Sequence, residues 1–145
     1  MTNNTVESYG WQSAEQPHST NYIAPRIKSL LAALKIKRVA DLGAGNGGLC
    51  GQLAVERYEV VGIEQDRNGV DIASRNYPNA RLYQFGMQDD TAELLRTEAA
   101  FDAVVSTEVI EHLYAPRLLP LYASQILVPG GHLIISTPYH GYVKN

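Results

Sequence analysis

Two carboxylates bracket a glycine-rich run in this chain. Asp41 stands two residues ahead of Gly43 in Asp41-Leu42-Gly43-Ala44-Gly45-Asn46-Gly47-Gly48, and Glu64 follows roughly 20 residues on. Glycines in such a run let the backbone turn tightly and lie directly against a ligand, so a bulky side chain at Gly43 or Gly45 would fill the ligand's space. Gly43, Gly45 and Gly48 also spell G-x-G-x-x-G, which makes a nicotinamide or flavin dinucleotide the rival to any other adenosine ligand. Asp41 weighs against the dinucleotide. At the carboxyl end of a strand, where a helix N-terminus would otherwise receive a pyrophosphate, a carboxylate repels that group and favours a ligand with a cation nearby. Glu64 has the spacing of an acid that accepts hydrogen bonds from both hydroxyls of an adenosine ribose, which also argues against a 2′-phosphate. The plain alternatives are that Asp41 caps the turn and Glu64 is a solvated loop acid.

A second group is Thr107-Glu108-Val109-Ile110-Glu111-His112-Leu113. On a helical turn Glu108, Glu111 and His112 share one face, and two carboxylates with an imidazole suit a divalent ion such as magnesium, able to polarise a hydroxyl. Without a metal, His112 is a candidate general base, because an imidazole offers its neutral form near neutral pH. The structural alternative pairs Glu111 with His112 at a cleft rim while Val109, Ile110 and Leu113 pack below. His140 is a further candidate base, more simply read as an exposed loop histidine. Tyr9 and Trp11 could fold over the cleft as an aromatic cover, although packing on the first helix is the commoner use of such residues.

The elements that must position these groups alternate between short β-rich runs and longer helical patterns, the mark of a parallel sheet with crossover helices. Strands are expected at Arg38–Leu42, Glu59–Ile63, Arg81–Phe85, Phe101–Val105 and His132–Ser136, in right-handed βαβ units. The first 20 or so residues look irregular. After them Ile27, Leu30, Leu31 and Leu34 recur at the spacing of one buried helical face. A helix from about Pro116 puts Leu119, Tyr122, Ala123 and Ile126 on one side, and Pro129-Gly130-Gly131 breaks it.

At 145 residues the chain has room for one domain and one hydrophobic core, so any active site must sit on that unit. Its apolar fraction of 45% against 19% charged residues is a globular balance, and no run approaches the length of a membrane span. The polar stretch Met1 to Gln16 lacks a secretory apolar core, and the single Cys50 cannot form an internal disulfide, so a reducing cytoplasm is expected. A net charge of -3 gives no general attraction to nucleic acid or anionic lipid.

Taken together, these motifs resemble class I S-adenosylmethionine-dependent methyltransferases. The match runs through Val39 to Gly47 (V-x-D-L-G-x-G-x-G), Glu64, Phe101 to Val104 (F-D-x-V) and Leu127 to Leu133 (L-x-P-G-G-x-L), in that order, within about residues 20 to 138. The resemblance implies an α/β, three-layer Rossmann-like parallel sheet of order 3-2-1-4-5, with helices on both faces and the cofactor across the carboxyl ends of the strands. It implies that Asp41, Gly43 and Gly45, with Ala44 between them, hold the methionine portion of S-adenosylmethionine. Glu64 would hold the ribose, Gln65 the adenine edge, and Gly86 and Met87 would wall the adenine. Thr107 and Glu108 would face the transferable methyl. Met87 departs from the pattern, since many relatives place there an aspartate that bonds the adenine amino group; Gln88 and Asp89 are the neighbours that could replace it. The Glu108-to-His112 segment looks like that of ubiquinone-biosynthesis O-methyltransferases and small-RNA 2′-O-methyltransferases, where it is associated with a divalent ion. A small-molecule hydroxyl is therefore the expected methyl acceptor, rather than nucleic acid. The family closes its sheet with an antiparallel hairpin that is absent before Asn145, so the chain reads as a single domain shortened at its C-terminus. The rival readings are a non-catalytic cofactor-binding module and, behind it, an NAD-dependent oxidoreductase.

Overall fold

The computed structural model describes residues 10–139. Among them, β1 (Arg38–Leu42), β2 (Glu59–Glu64), β3 (Arg81–Gln84), β4 (Phe101–Thr107) and β5 (Leu127–Ser136) form one parallel sheet in the order β3-β2-β1-β4-β5. The helices are α1 (Thr20–Ala33), α2 (Gly48–Val55), α3 (Arg67–Asn76), α4 (Thr91–Leu95) and α5 (Leu118–Ile126), with a short 3-10 turn at Ile110–His112. This is the Rossmann-like architecture and strand order that the resemblance implies.

The central strand shows why the sheet is buried on both faces. Val39, Ala40, Asp41 and Leu42 are all buried, as parallel strands covered by helices require. Side chains alternate along a strand, so Val39 packs with Ile27, Leu31, Cys50 and Leu53 under α1 and α2. Ala40 and Leu42 pack on the other side with Leu94, Leu119, Tyr122, Ala123 and Ile126 of α4 and α5. Asp41, two residues from Val39, therefore shares the α1 and α2 face.

At the amino ends of the strands a charged cluster ties the sheet together. Glu98 is buried and takes hydrogen bonds from Arg81 Nε at 2.6 Å and Tyr83 Oη at 2.9 Å, and also pairs with Arg38. Arg38 in turn lies over the Phe101 ring at 4.8 Å and pairs with Glu59. The arginines hold the Glu98 carboxyl down at about 2.

Several boundaries differ from the sequence expectation. In α1 the buried stripe is Ala24, Ile27 and Leu31, while Leu30 and Leu34 are exposed. The helix is rotated toward Ala24, and it ends at Ala33, so Leu34 falls at its C-cap. β2 and β4 run on to Glu64 and Thr107, which places both residues at strand ends on the ligand side. β3 stops at Gln84, although Phe85 N–H still donates to the Glu64 carbonyl at 3.2 Å. β5 begins at Leu127 rather than His132. Phe101 pairs with Leu127 and Ala103 with His132, so Val128-Pro129-Gly130-Gly131 bulges out, with Gly130 at φ +78. None of the helices among the described residues is long and apolar enough to cross a membrane.

Candidate functional site

The strand order reverses between β1 and β4, and the crevice beyond their carboxyl ends is where open α/β sheets take ligands. A cleft of about 880 Å³ opens there, a size suited to a small organic ligand.

The glycine loop lines one wall, and its amides are already committed. Gly43 and Ala44 N–H both donate to the Ile63 carbonyl, at 2.8 and 3.0 Å. Gly45 N–H donates to Glu64 Oε2 at 2.7 Å, Gly47 N–H to the Ala44 carbonyl at 2.9 Å, and Gly48 N–H to Asn46 Oδ1 at 3.4 Å. A phosphate cradle needs such amides turned outward. Positive φ at Gly43 (+85) and Gly45 (+57) makes this inward arrangement possible. A side chain at either glycine would strike protein before ligand: Val109 at Gly43, and the Trp11 ring, within 2.6 Å, at Gly45.

Asp41 is 2% exposed and lines the same cleft. Its Oδ2 accepts a hydrogen bond from Cys50 Sγ at 3.3 Å, while its Oδ1 is buried with no partner. Burial is the main force raising its carboxyl to about 7, and the nearby Glu64 charge adds to it. An unpaired buried carboxylate oxygen is costly unless something binds it.

Glu64 is also buried, and both of its oxygens are in use. Besides Gly45, it accepts from Asp66 N–H at 2.7 Å, and burial still raises its carboxyl above the usual range. It thus joins the glycine loop to the start of α3, a role the sequence reading did not foresee. A carboxylate oxygen has two lone-pair directions, so each can still accept from a ligand.

Gln65, Phe85, Gly86, Met87 and Gln88 line the next part of the cleft. Asp89 Oδ2 is taken by Gly86 N–H at 2.7 Å, closing the turn, so of the two neighbours of Met87 it is Gln88 that lines the cleft. Met87 itself packs against the apolar cluster beneath α5.

The Glu108-to-His112 segment departs from expectation. The helical turn that would align Glu108, Glu111 and His112 is absent: the 3-10 turn begins only at Ile110, and Glu108 lies outside it with φ +55. Glu108 Oε2 instead accepts from Ser19 Oγ at 2.5 Å, and Glu111 Oε2 from Thr137 Oγ1 at 3.4 Å. Thr107, Glu108 and His112 line the cleft, whereas Glu111 faces away toward β5. No three His, Cys, Asp or Glu side chains gather for a metal among the described residues.

The chain before α1 forms the remaining wall. Trp11, Pro17, Ser19, Thr20 and Ile23 line the cleft, and the Trp11 ring lies against Gly45. Asn46 Nδ2 tethers this stretch, donating to the Ser13 and Glu15 carbonyls at 3.1 and 2.8 Å. Tyr9 and His140 lie outside the described residues. The sequence reading gave no role in the site to Asn46, Ser19 or Cys50. Only Ser19 carried a signal, a serine just before a helical run, and it bonds Glu108 instead of capping the helix.

Comparison with known proteins adds a family to this geometry. The profile of the methyltransferase domain matches residues 40–135. A ubiquinone biosynthesis O-methyltransferase of Roseobacter denitrificans is 37% identical over 107 residues, covering 69% of this chain and 40% of that protein. One from Vibrio atlanticus is 29% identical over 124 residues, covering 83% and 50%. The chain spans about half the length of the curated relatives it matches. Among solved structures, an S-adenosylmethionine-bound amino pentose methyltransferase from Micromonospora echinaspora superposes with a TM-score of 0.66 at 25% identity, covering 83% of this chain and 50% of that one. The matched stretch runs from within β1 to within β5 and so carries the glycine loop, Glu64 and the Thr107–Glu108 corner: this chain belongs to the methyltransferase-domain family, class I and S-adenosylmethionine-dependent.

Proposed function

We propose that the chain binds S-adenosylmethionine in this cleft and moves its methyl group to a hydroxyl oxygen of a small molecule. The observation that carries the reading is Asp41, which lines the cleft and keeps its Oδ1 buried without a partner. A cationic amine would satisfy it, and the methionine portion of S-adenosylmethionine carries one. The inward-turned loop amides support the same choice, since they leave a diphosphate without its usual donors.

In this reading Gly43, Ala44 and Gly45 leave room for the methionine chain, and Glu64 accepts from the ribose hydroxyls while still holding Gly45 and Asp66. Gln65, Gly86, Met87 and Gln88 surround the adenine. When bound, the cofactor supplies a methyl group on a sulfonium sulfur, an electrophile that needs alignment more than a protein nucleophile. Thr107 and Glu108 fix the wall beside that methyl, and Trp11 excludes water above the loop. His112, exposed at the rim, takes the proton from the incoming hydroxyl. The names of the Roseobacter and Vibrio relatives support oxygen as the acceptor atom.

Calorimetric titration with S-adenosylhomocysteine and with NAD tests the cofactor: binding of the first alone is expected, and binding of NAD alone ends the proposal. Transfer of labelled methyl to catechols, sugar hydroxyls and matched amines tests the acceptor. Label found only on the amines removes the oxygen assignment.

A further inference from the structure

We infer that Cys50 is a positioning residue for the cofactor: its thiol, approaching from α2, holds one oxygen of Asp41 so that the other is presented to the cleft. The inference rests on Asp41 receiving the cofactor's amine, as proposed above.

The geometry is specific. Cys50 is completely buried, and its Sγ lies 3.3 Å from Asp41 Oδ2, while Oδ1 of the same cleft-lining residue is left without a partner. The contact is enforced by packing from two directions. Cys50 is the third residue of α2, whose start is set by the glycine loop, and a Cβ on Gly62 of the adjacent strand β2 would come within 3.0 Å of its sulfur.

A thiol suits this place chemically. Burial and the adjacent carboxylate push the Cys50 thiol well above its usual range, so it keeps its proton and stays a donor. Its hydrogen bond favours the ionised form of Asp41 and opposes the effects of burial and of Glu64. The titratable groups acting on Asp41 are thus Cys50 from α2 and Glu64 from β2, while the neighbouring stretch of β4 presents Val104 and Val105. Across the cleft Glu108 is engaged by Ser19. Asp41 must be ionised to receive an amine, so Cys50 sets the lower edge of the pH range in which the cofactor binds.

The test is the pH profile of S-adenosylhomocysteine affinity, measured by calorimetry for the parent chain, Cys50→Ala and Cys50→Ser. The neutral analogue 5′-methylthioadenosine, which has the adenosine but no amino acid, serves as the control. In the parent, affinity falls on the acid side for S-adenosylhomocysteine and not for the control. Cys50→Ala moves this acid limb upward by about one pH unit, a roughly tenfold loss on that limb. The alkaline limb, which belongs to the ligand's own amine, stays in place. Cys50→Ser keeps a donor and returns the limb to within a few tenths of a unit. An Ala profile that superimposes on the parent, an equal loss at every pH, or failure of Ser to restore the limb each overturns the role given to Cys50. A parent acid limb no different from that of 5′-methylthioadenosine overturns the contact between Asp41 and the amine itself.

Discussion

Burial holds the Asp41 carboxyl at about 7 in the empty protein, against 3.8 for an unperturbed aspartate, and this difference acts on stability as well as on binding. The unfolded chain loses the Asp41 proton near pH 4 while the folded chain keeps it to about 7. Ionisation therefore costs the fold nothing below pH 4, progressively more between 4 and 7, and the full amount above 7. Asp41→Asn removes that cost, so the empty variant is expected to be roughly 2–4 kcal/mol more stable than the parent at pH 8, and equal to it near pH 4. The same variant loses the charge that would pair with the amine and binds S-adenosylhomocysteine ten- to a hundredfold more weakly. Thermal melts across this pH range check the first statement, and a constant gap at all pH values would contradict it. Glu64 behaves differently because its two oxygens already hold Gly45 and Asp66 N–H. Glu64→Gln turns an amide donor toward one of those N–H groups, and the expected cost is about 1–3 kcal/mol in the empty protein, in addition to weaker binding. An unchanged melting temperature would return Glu64 to a ligand-only role.

At the scale of elements, β1, β2 and β4 were legible because each is a short, largely apolar run bounded by helix or turn signals, as strands buried on both faces demand. Asp41 and Glu64 were legible for a related reason: they occupy strand ends, where parallel register alone carries them to the ligand side. The Glu108-to-His112 segment was not, since so short a stretch has no period and an α-turn cannot be told from a 3-10 turn by spacing. The difference decides the chemistry. With Glu108 left at φ +55 and bonded to Ser19, and Glu111 bonded to Thr137, the three candidate ligands diverge. Methyl transfer is accordingly expected to stay within about twofold of its rate when EDTA is added, because few convergent ligands leave little affinity for an ion. Loss of activity on chelation, restored by magnesium, would require the segment to rearrange. The chain before α1 was equally hidden, because its order comes from Asn46, a loop residue, rather than from its own sequence pattern. Asn46→Ala removes both tethers, and limited proteolysis of the empty protein should then cut ahead of Thr20 several times faster. Unchanged cleavage would mean that the other contacts of the stretch, Trp11 against the loop, Gln16 with Gln52 and Tyr77, and Ser19 with Glu108, hold it without Asn46.

Across the whole molecule, the two ends of the sheet respond to pH in opposite ways. At the amino ends, Glu98 is held at about 2 by Arg81, Arg38 and Tyr83, against an ordinary value of 4.5. Its contribution is complete above 4.5 and is lost as pH falls toward 2; allowing for the solvent around Arg81, it amounts to about 1–3 kcal/mol. At the carboxyl ends, Asp41 costs stability as pH rises toward 7. From these groups alone, the empty protein should be most stable in mildly acidic solution, above the range in which Glu98 protonates and below that in which Asp41 ionises. A ligand that binds the folded chain adds stability in proportion to the logarithm of its concentration over Kd, and this increment grows wherever binding tightens. If the ligand brings a cation to Asp41, its increment is small below pH 5 and rises through 7, so saturating S-adenosylhomocysteine should move the stability maximum toward neutral pH. Melting curves from pH 4 to 9, with and without that ligand, measure the displacement. An increment of the same size at every pH would mean that the ligand binds without drawing on the charge of Asp41, and its orphaned oxygen would then need a different occupant.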